Sequence, residues 1–162
     1  MTPNVLDTTA PNAQQVCPGY TASNVVQNAA GLTADLTLAG PACNVYGNDI
    51  DHLSLAVQYQ SQNRLNVRIV PKYLVPSNQS LYILSDTLTP MGAMNNKSSN
   101  ATSDLKFEWS NTPSFQFRVS RAKSGEVLFD TYGQKLVFED QFLELVTSMV
   151  PGEFDHQVIS VI

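Results

Sequence analysis

The strongest signal along the chain is a two-residue alternation of apolar and polar positions. Leu32, Ala34, Leu36 and Leu38 alternate with Thr33, Asp35 and Thr37. Successive side chains of an extended strand point to opposite faces, so the run predicts a strand with one apolar face. Leu53, Leu55, Val57 and Tyr59 alternate with Ser54, Ala56, Gln58 and Gln60. Leu65, Val67 and Ile69 then alternate with Arg64, Asn66 and Arg68. Only the polar link Ser61-Gln62-Asn63 separates these two runs, which predicts a hairpin. The same period returns in Leu105, Phe107 and Trp109, and again in Phe115, Phe117 and Val119. Ala122-Lys123-Ser124-Gly125 reads as a turn, with Gly125 able to take a positive φ, and Glu126 to Thr131 as the returning strand. Leu136 to Phe138 and Phe142 to Ser148 complete the set, and Leu81 to Leu84 adds one more short strand. No long helical period occurs. Many short strands with turns between them predict an all-β fold, an antiparallel β-sandwich.

The segments between strands set the domain plan. Met1 to Val16, with Pro3, Pro11 and Asn12, reads as a disordered leader, residues 1–16. Pro71 to Asn78 breaks any strand, and Thr89 to Asp104 reads as a long loop. Residues 17–149 are then the sandwich. Residues 150–162 form a divergent tail whose last run, Val158 to Ile162, is an aggregation liability unless it is paired.

Composition narrows the function classes. The 162 residues suffice for one domain. Nine Lys and Arg against 14 Asp and Glu give a net charge of −5, which argues against a general nucleic-acid binder, whose phosphate contacts need clustered cations. No apolar run is long enough to cross a membrane as a helix. The first sixteen residues have no basic start and no apolar core, so the chain as written carries no secretory signal.

Two further features nevertheless read as secretory. Asn78, Asn96 and Asn100 each begin an Asn-X-Ser/Thr sequon, and the last two lie in the expected loop. Cys17 and Cys43 allow one bridge, which in the chain-entropy model contributes roughly 3–4 kcal/mol. Two buried thiols of a cytosolic protein are the other reading. Two Cys without a nearby His pair do not close a zinc shell.

Candidate catalytic groups are few. His52 follows Asp49 and Asp51, so a general base with a carboxylate partner is one reading, and an exposed histidine at a strand start is the plainer one. His156 lies in the divergent tail. Glu139 and Asp140 are adjacent, so on a strand they point to opposite faces; with Glu144 they read as solvated strand positions rather than as a glycosidase acid pair. No nucleophile elbow, phosphate-binding Gly loop or zinc-protease motif occurs, and no cofactor is indicated. Phe107, Trp109, Phe115 and Phe117 fit a hydrophobic core, and alternatively a sugar-stacking platform.

Several blocks, in order, resemble the N-terminal region of fungal α-glucosidases of glycoside hydrolase family 31. They are Cys17-Pro18-Gly19-Tyr20, Gly31 to Leu36, Cys43-Asn44-Val45-Tyr46-Gly47, Leu65 to Ile69, Ser124 to Thr131 and Leu136 to Leu145. The resemblance implies a galactose mutarotase-like β-sandwich that precedes a catalytic (β/α)-barrel. It implies a secreted, glycosylated enzyme that releases glucose from α-glucosides with retention. Both Cys positions match the family, which favours the bridge. The family's nucleophile motif and downstream acid do not occur here, so no catalytic residue carries over. The expectation is an accessory domain without its barrel, inactive alone, from a truncated gene model, a pseudogene or a split module. A free-standing carbohydrate-binding module is the alternative. A mutarotase-like enzyme would rest on fold resemblance only.

Overall fold

The computed structural model describes residues 11–73, 99–140 and 142–147. A short helix, α1 (Ala13–Val16), comes first. Four strands follow: β1 (Tyr20–Asn28), β2 (Gly31–Leu38), β3 (His52–Ser61) and β4 (Arg64–Pro71). They form one antiparallel sheet in sequence order. The next three, β5 (Leu105–Ser110), β6 (Gln116–Arg121) and β7 (Val127–Asp130), form a second antiparallel sheet. The last pair, β8 (Leu136–Glu139) and β9 (Phe142–Leu145), forms a two-stranded ladder.

The alternation decides which face of each sheet is buried. Leu36 lies opposite Leu53, Ala34 opposite Leu55, and Leu55 opposite Ile69. The register therefore stacks the apolar positions of β2, β3 and β4 on one side. Those residues share one continuous core with Leu105, Phe115, Phe117, Val119 and Phe129 of the second sheet, and with Leu136 and Phe138 of β8. Two sheets closed on a common core make an antiparallel β-sandwich. Leu53, Val67, Ile69 and Phe117 have no exposed surface, and each such side chain contributes about 1.5–3 kcal/mol. The Phe107 and Phe117 rings stack with centroids 5.3 Å apart, and Phe117 and Phe129 at 5.4 Å.

The connections follow local chemistry. Gln62-Asn63 is the turn of the β3–β4 hairpin, so its link is a residue shorter than the sequence suggests. Gly125 closes the β6–β7 turn at φ +74. Gly31 serves a different need. A Cβ there would sit 1.9 Å from the Val57 carbonyl oxygen, so β2 can approach β3 at this point only without a side chain.

Two elements depart from the expectations. The end of the expected leader is ordered: Ala13–Val16 is a helical turn capped by the Asn12 side chain, which accepts from the Gln14 N–H. Gln14 ties it down, its amide donating to the Lys135 carbonyl and accepting from the Lys135 N–H. A single turn carries too little periodicity to stand out in sequence. Strand β1 also lacks a sequence signal. Only Tyr20 and Ala22 are buried along it, and Val25 and Val26 face solvent. A register shift between Ser23 and Val26, with Asn24 at φ 49, breaks the alternation. Among the described residues β1 is an edge strand, and Asn111 seals part of its edge by hydrogen-bonding both backbone groups of Ala22. The strand expected at Leu81–Leu84, most of the expected loop 89–104, and the tail 150–162 lie outside the described residues.

Candidate functional site

Among the described residues, two places gather polar chemistry. The first is the loop between β2 and β3 where it lies against β8 and β9. Cys17, at the end of α1, is bonded to Cys43. From there the loop is held by carboxylates that accept its backbone N–H groups. Asp49 Oδ2 accepts from Cys43 N and Asn44 N. Glu139 Oε2 accepts from Tyr46 N and Gly47 N. Asp140 Oδ2 accepts from Asn48 N. Glu144 completes the set, taking the Tyr46 hydroxyl at 2.6 Å and the Gln14 amide at 2.6 Å. Below them the Tyr20 hydroxyl donates to the Ile50 carbonyl at 2.7 Å.

This geometry corrects the reading of the acidic residues. Glu139 is not a solvated strand position; it has no exposed surface. Nor do Glu139 and Asp140 point apart. Asp140 takes φ 45 and leaves the strand, so both carboxylates engage consecutive residues of the same loop. A buried carboxylate is tolerated when donors surround it, and two N–H groups converge on one oxygen of Glu139. Its other oxygen lies 3.2 Å from Cys43 Sγ. That is a contact without a proton, because both sulfurs are spent in the disulfide. Cys17, Cys43 and Glu139 are also a group whose ligand-type atoms converge, yet the same bond leaves a single carboxylate oxygen rather than a ligand set.

The electrostatics agree with a structural clamp. Burial pushes the Tyr20 phenol far above its ordinary value, and the nearby charges of Asp49, Asp51 and Glu139 add to the effect. The hydrogen bond to Glu144 raises the Tyr46 phenol. A retaining glycosidase needs two carboxyl groups facing one bond with a gap for the sugar. Here Asp49, Glu139 and Asp140 face backbone amides instead, and Glu144 faces the Tyr46 hydroxyl and the Gln14 side chain. His52 is not joined to them either: it is exposed at the start of β3, with its ring edge-on to Tyr73 at 5.5 Å. The plainer reading of His52 therefore matches its surroundings. His156 lies outside the described residues.

The second place is a groove of 240 Å³ at one end of the sandwich, lined by Gln27, Gly31, Leu32, Val57, Tyr59, Phe107, Glu108 and Trp109. It divides the four aromatics that the sequence grouped together. Phe115 and Phe117 are core, whereas Phe107 and Trp109 are half-buried and wall the groove. Alternation puts all four on inner faces, but it cannot show where the sandwich opens. Gln27 and Tyr59 reach the groove from the other sheet, and no motif marks them. Of the three sequons, Asn78 and Asn96 lie outside the described residues. Asn100 is exposed in a turn, with its N–H bonded to the Ala29 carbonyl.

The chain matches no protein-family model. Among curated proteins it is 51% identical to an α-glucosidase of Aspergillus oryzae over 152 residues, which is 94% of this chain and 15% of that protein. The chain is homologous to a segment of the fungal α-glucosidases. The α-glucosidase of Aspergillus niger is 47% identical over the same share of both chains. A probable alpha/beta-glucosidase of Aspergillus clavatus is 44% identical over 141 residues. The chain thus spans about 15% of the length of the relatives it matches. A match over 94% of the chain leaves too few residues at the ends to miss either place, so the clamp and the groove both fall inside the α-glucosidase homology.

Proposed function

We propose that this chain is the N-terminal β-sandwich of a family 31 α-glucosidase, of the galactose mutarotase-like type. Its work is to buttress a catalytic (β/α)-barrel that acts on α-glucosides. By itself it turns over no sugar. The observation that carries this reading is the 51% identity over nearly the whole chain, against only 15% of the relative. The carboxylates support it. Asp49, Glu139, Asp140 and Glu144 are occupied in holding a loop, which suits a scaffold rather than an acid and nucleophile pair.

The domain works outside the cell and carries N-glycans. Disulfides persist in oxidising compartments, and Cys17–Cys43 is one. Asn100-Ala101-Thr102 is an exposed acceptor, and Asn78 and Asn96 offer two more.

The test is an assay of the purified chain on maltose and a chromogenic α-glucoside. The chain alone stays silent. Mixing or fusing it with the Aspergillus oryzae relative stripped of its matching segment restores turnover. Robust hydrolysis by the chain alone, or no rescue of the stripped relative, overturns the reading. Secretion from a fungal host followed by N-glycosidase treatment converts Asn100 to Asp in the peptide map; an unmodified Asn100 peptide counts against the glycan.

A further inference from the structure

The clamp holds one arrangement that its grip on the loop does not require. Glu139 Oε2 alone receives the Tyr46 and Gly47 N–H groups. Oε1 is turned toward the disulfide, 3.2 Å from Cys43 Sγ and 3.8 Å from Cys17 Sγ. A second carboxylate does the same. Asp49 Oδ2 holds the Cys43 and Asn44 amides, and Oδ1 lies 3.7 Å from Cys43 Sγ. Neither side chain can swing away without giving up its amides. The Cys17–Cys43 bond therefore lies beside two fixed negative charges.

The two sulfurs differ in access. Cys17 is buried in a small cluster with Ala13 and Val137, whereas Cys43 is half-buried at the side of that cluster. A thiol reductant thus meets Cys43 Sγ first. Its thiolate bonds to Cys43 Sγ, the Cys17–Cys43 bond breaks, and the electron pair leaves on Cys17, which takes up a proton. A second thiol then frees Cys43 as a thiol and departs in the reductant's own disulfide, so two thiols are oxidised for each bridge reduced. Negative charge is carried to Cys43 and on to Cys17 alongside Glu139 Oε1. Like charge raises the barrier to both the approach and the departure, and at a largely buried bond water and salt screen it poorly. The Lys135 ammonium, beside α1, is bonded to the Gln15 carbonyl on the exposed side, where water screens it. We propose that Glu139 and Asp49 form an electrostatic guard that protects the Cys17–Cys43 bridge from reduction by anionic thiols, glutathione among them. The guard keeps the loop clamped where such thiols are present, and it acts whether or not the domain supports a barrel.

The test sets thiols of different charge against the native full chain. Cysteamine, mercaptoethanol and mercaptoacetate are a cationic, a neutral and an anionic reductant, used at equal thiolate concentration and mildly alkaline pH. Trapping with iodoacetamide and intact mass give the rate of bridge opening. The same rates are measured on the chain unfolded in urea. The ratio of the cysteamine rate to the mercaptoacetate rate is about tenfold larger in the native chain, the equivalent of about 1.4 kcal/mol of repulsion. Glu139→Gln and Asp49→Asn each bring that ratio down toward the unfolded value. A loss of stability alone speeds all three thiols alike and leaves the ratio where it was. A native ratio equal to that in urea, or a native ratio that neither variant lowers, overturns the proposal. None of these outcomes bears on rescue of the stripped relative, so the two readings fail separately.

Discussion

Replacing Glu139 by alanine removes a carboxylate with no exposed surface and leaves the Tyr46 and Gly47 amides without their acceptor. These amides are part-buried, so losing their charged acceptor costs about 1–1.5 kcal/mol each, and the volume lost from the fully buried Glu139 side chain adds a cavity term of about 1–2 kcal/mol. Together these destabilise the domain by about 3–5 kcal/mol. Glu139→Gln keeps the shape. Its carbonyl oxygen can take the place of Oε2 and hold both N–H groups as neutral bonds. The loss is then the charge assistance, about 1 kcal/mol per bond and about 2 kcal/mol in all. Urea unfolding followed by Trp109 emission measures the series. With a slope of about 2 kcal/mol per molar, alanine lowers the midpoint by about 2 M and glutamine by about 1 M. Adding Asp140→Ala to Glu139→Ala costs less than the sum of the two, because both carboxylates hold the same few residues. If alanine costs under 1 kcal/mol, or glutamine is as damaging as alanine, Glu139 does not clamp the loop.

Two other predictions probe different parts of the fold. Cys17→Ser with Cys43→Ser, or reduction of the native chain, costs roughly 3–4 kcal/mol, the entropy of a closure over 26 residues; a melting point unmoved by reductant refutes it. The bridge Lys72 Nζ–Asp35 Oδ2, 2.7 Å, gives a pH dependence. Hydrogen bonds from Asn24 and Lys72 hold the Asp35 carboxyl below its ordinary value, and the bond to Asp35 raises the Lys72 ammonium. The Asp35 contribution is present above the unfolded carboxylate value near pH 4 and is lost as pH falls through the lower folded value. The Lys72 contribution is present below about pH 10.4 and is lost as pH rises through the higher folded value. Asp35→Asn therefore destabilises at pH 7 and becomes neutral in strong acid; an equal effect at both ends refutes the pairing.

Most of the strand framework was legible because burial on one face writes a period of two into the residues. Leu32 to Leu38, Leu53 to Tyr59 and Leu65 to Ile69 carried that period and became β2, β3 and β4. β1 escaped notice for the opposite reason. An edge strand with a bulge buries little, so Ser23 to Asn28 show no apolar spacing. The missed helix α1 owes its order to Gln14 and the disulfide, both long-range contacts.

The homology was also written in the chain, as ordered blocks from Cys17 to Leu145. The roles of individual residues were not. Glu139 looks like any strand acid until the loop at Tyr46-Gly47 folds over it and supplies N–H groups. Phe107 and Trp109 look like core until the end of the sandwich leaves them half-exposed beside Tyr59 and Gln27. Local pattern records which face of an element turns inward, because burial selects side chains one by one. Which buried acid finds donors, and which aromatic finds an opening, depends on residues that meet only when distant strands come together.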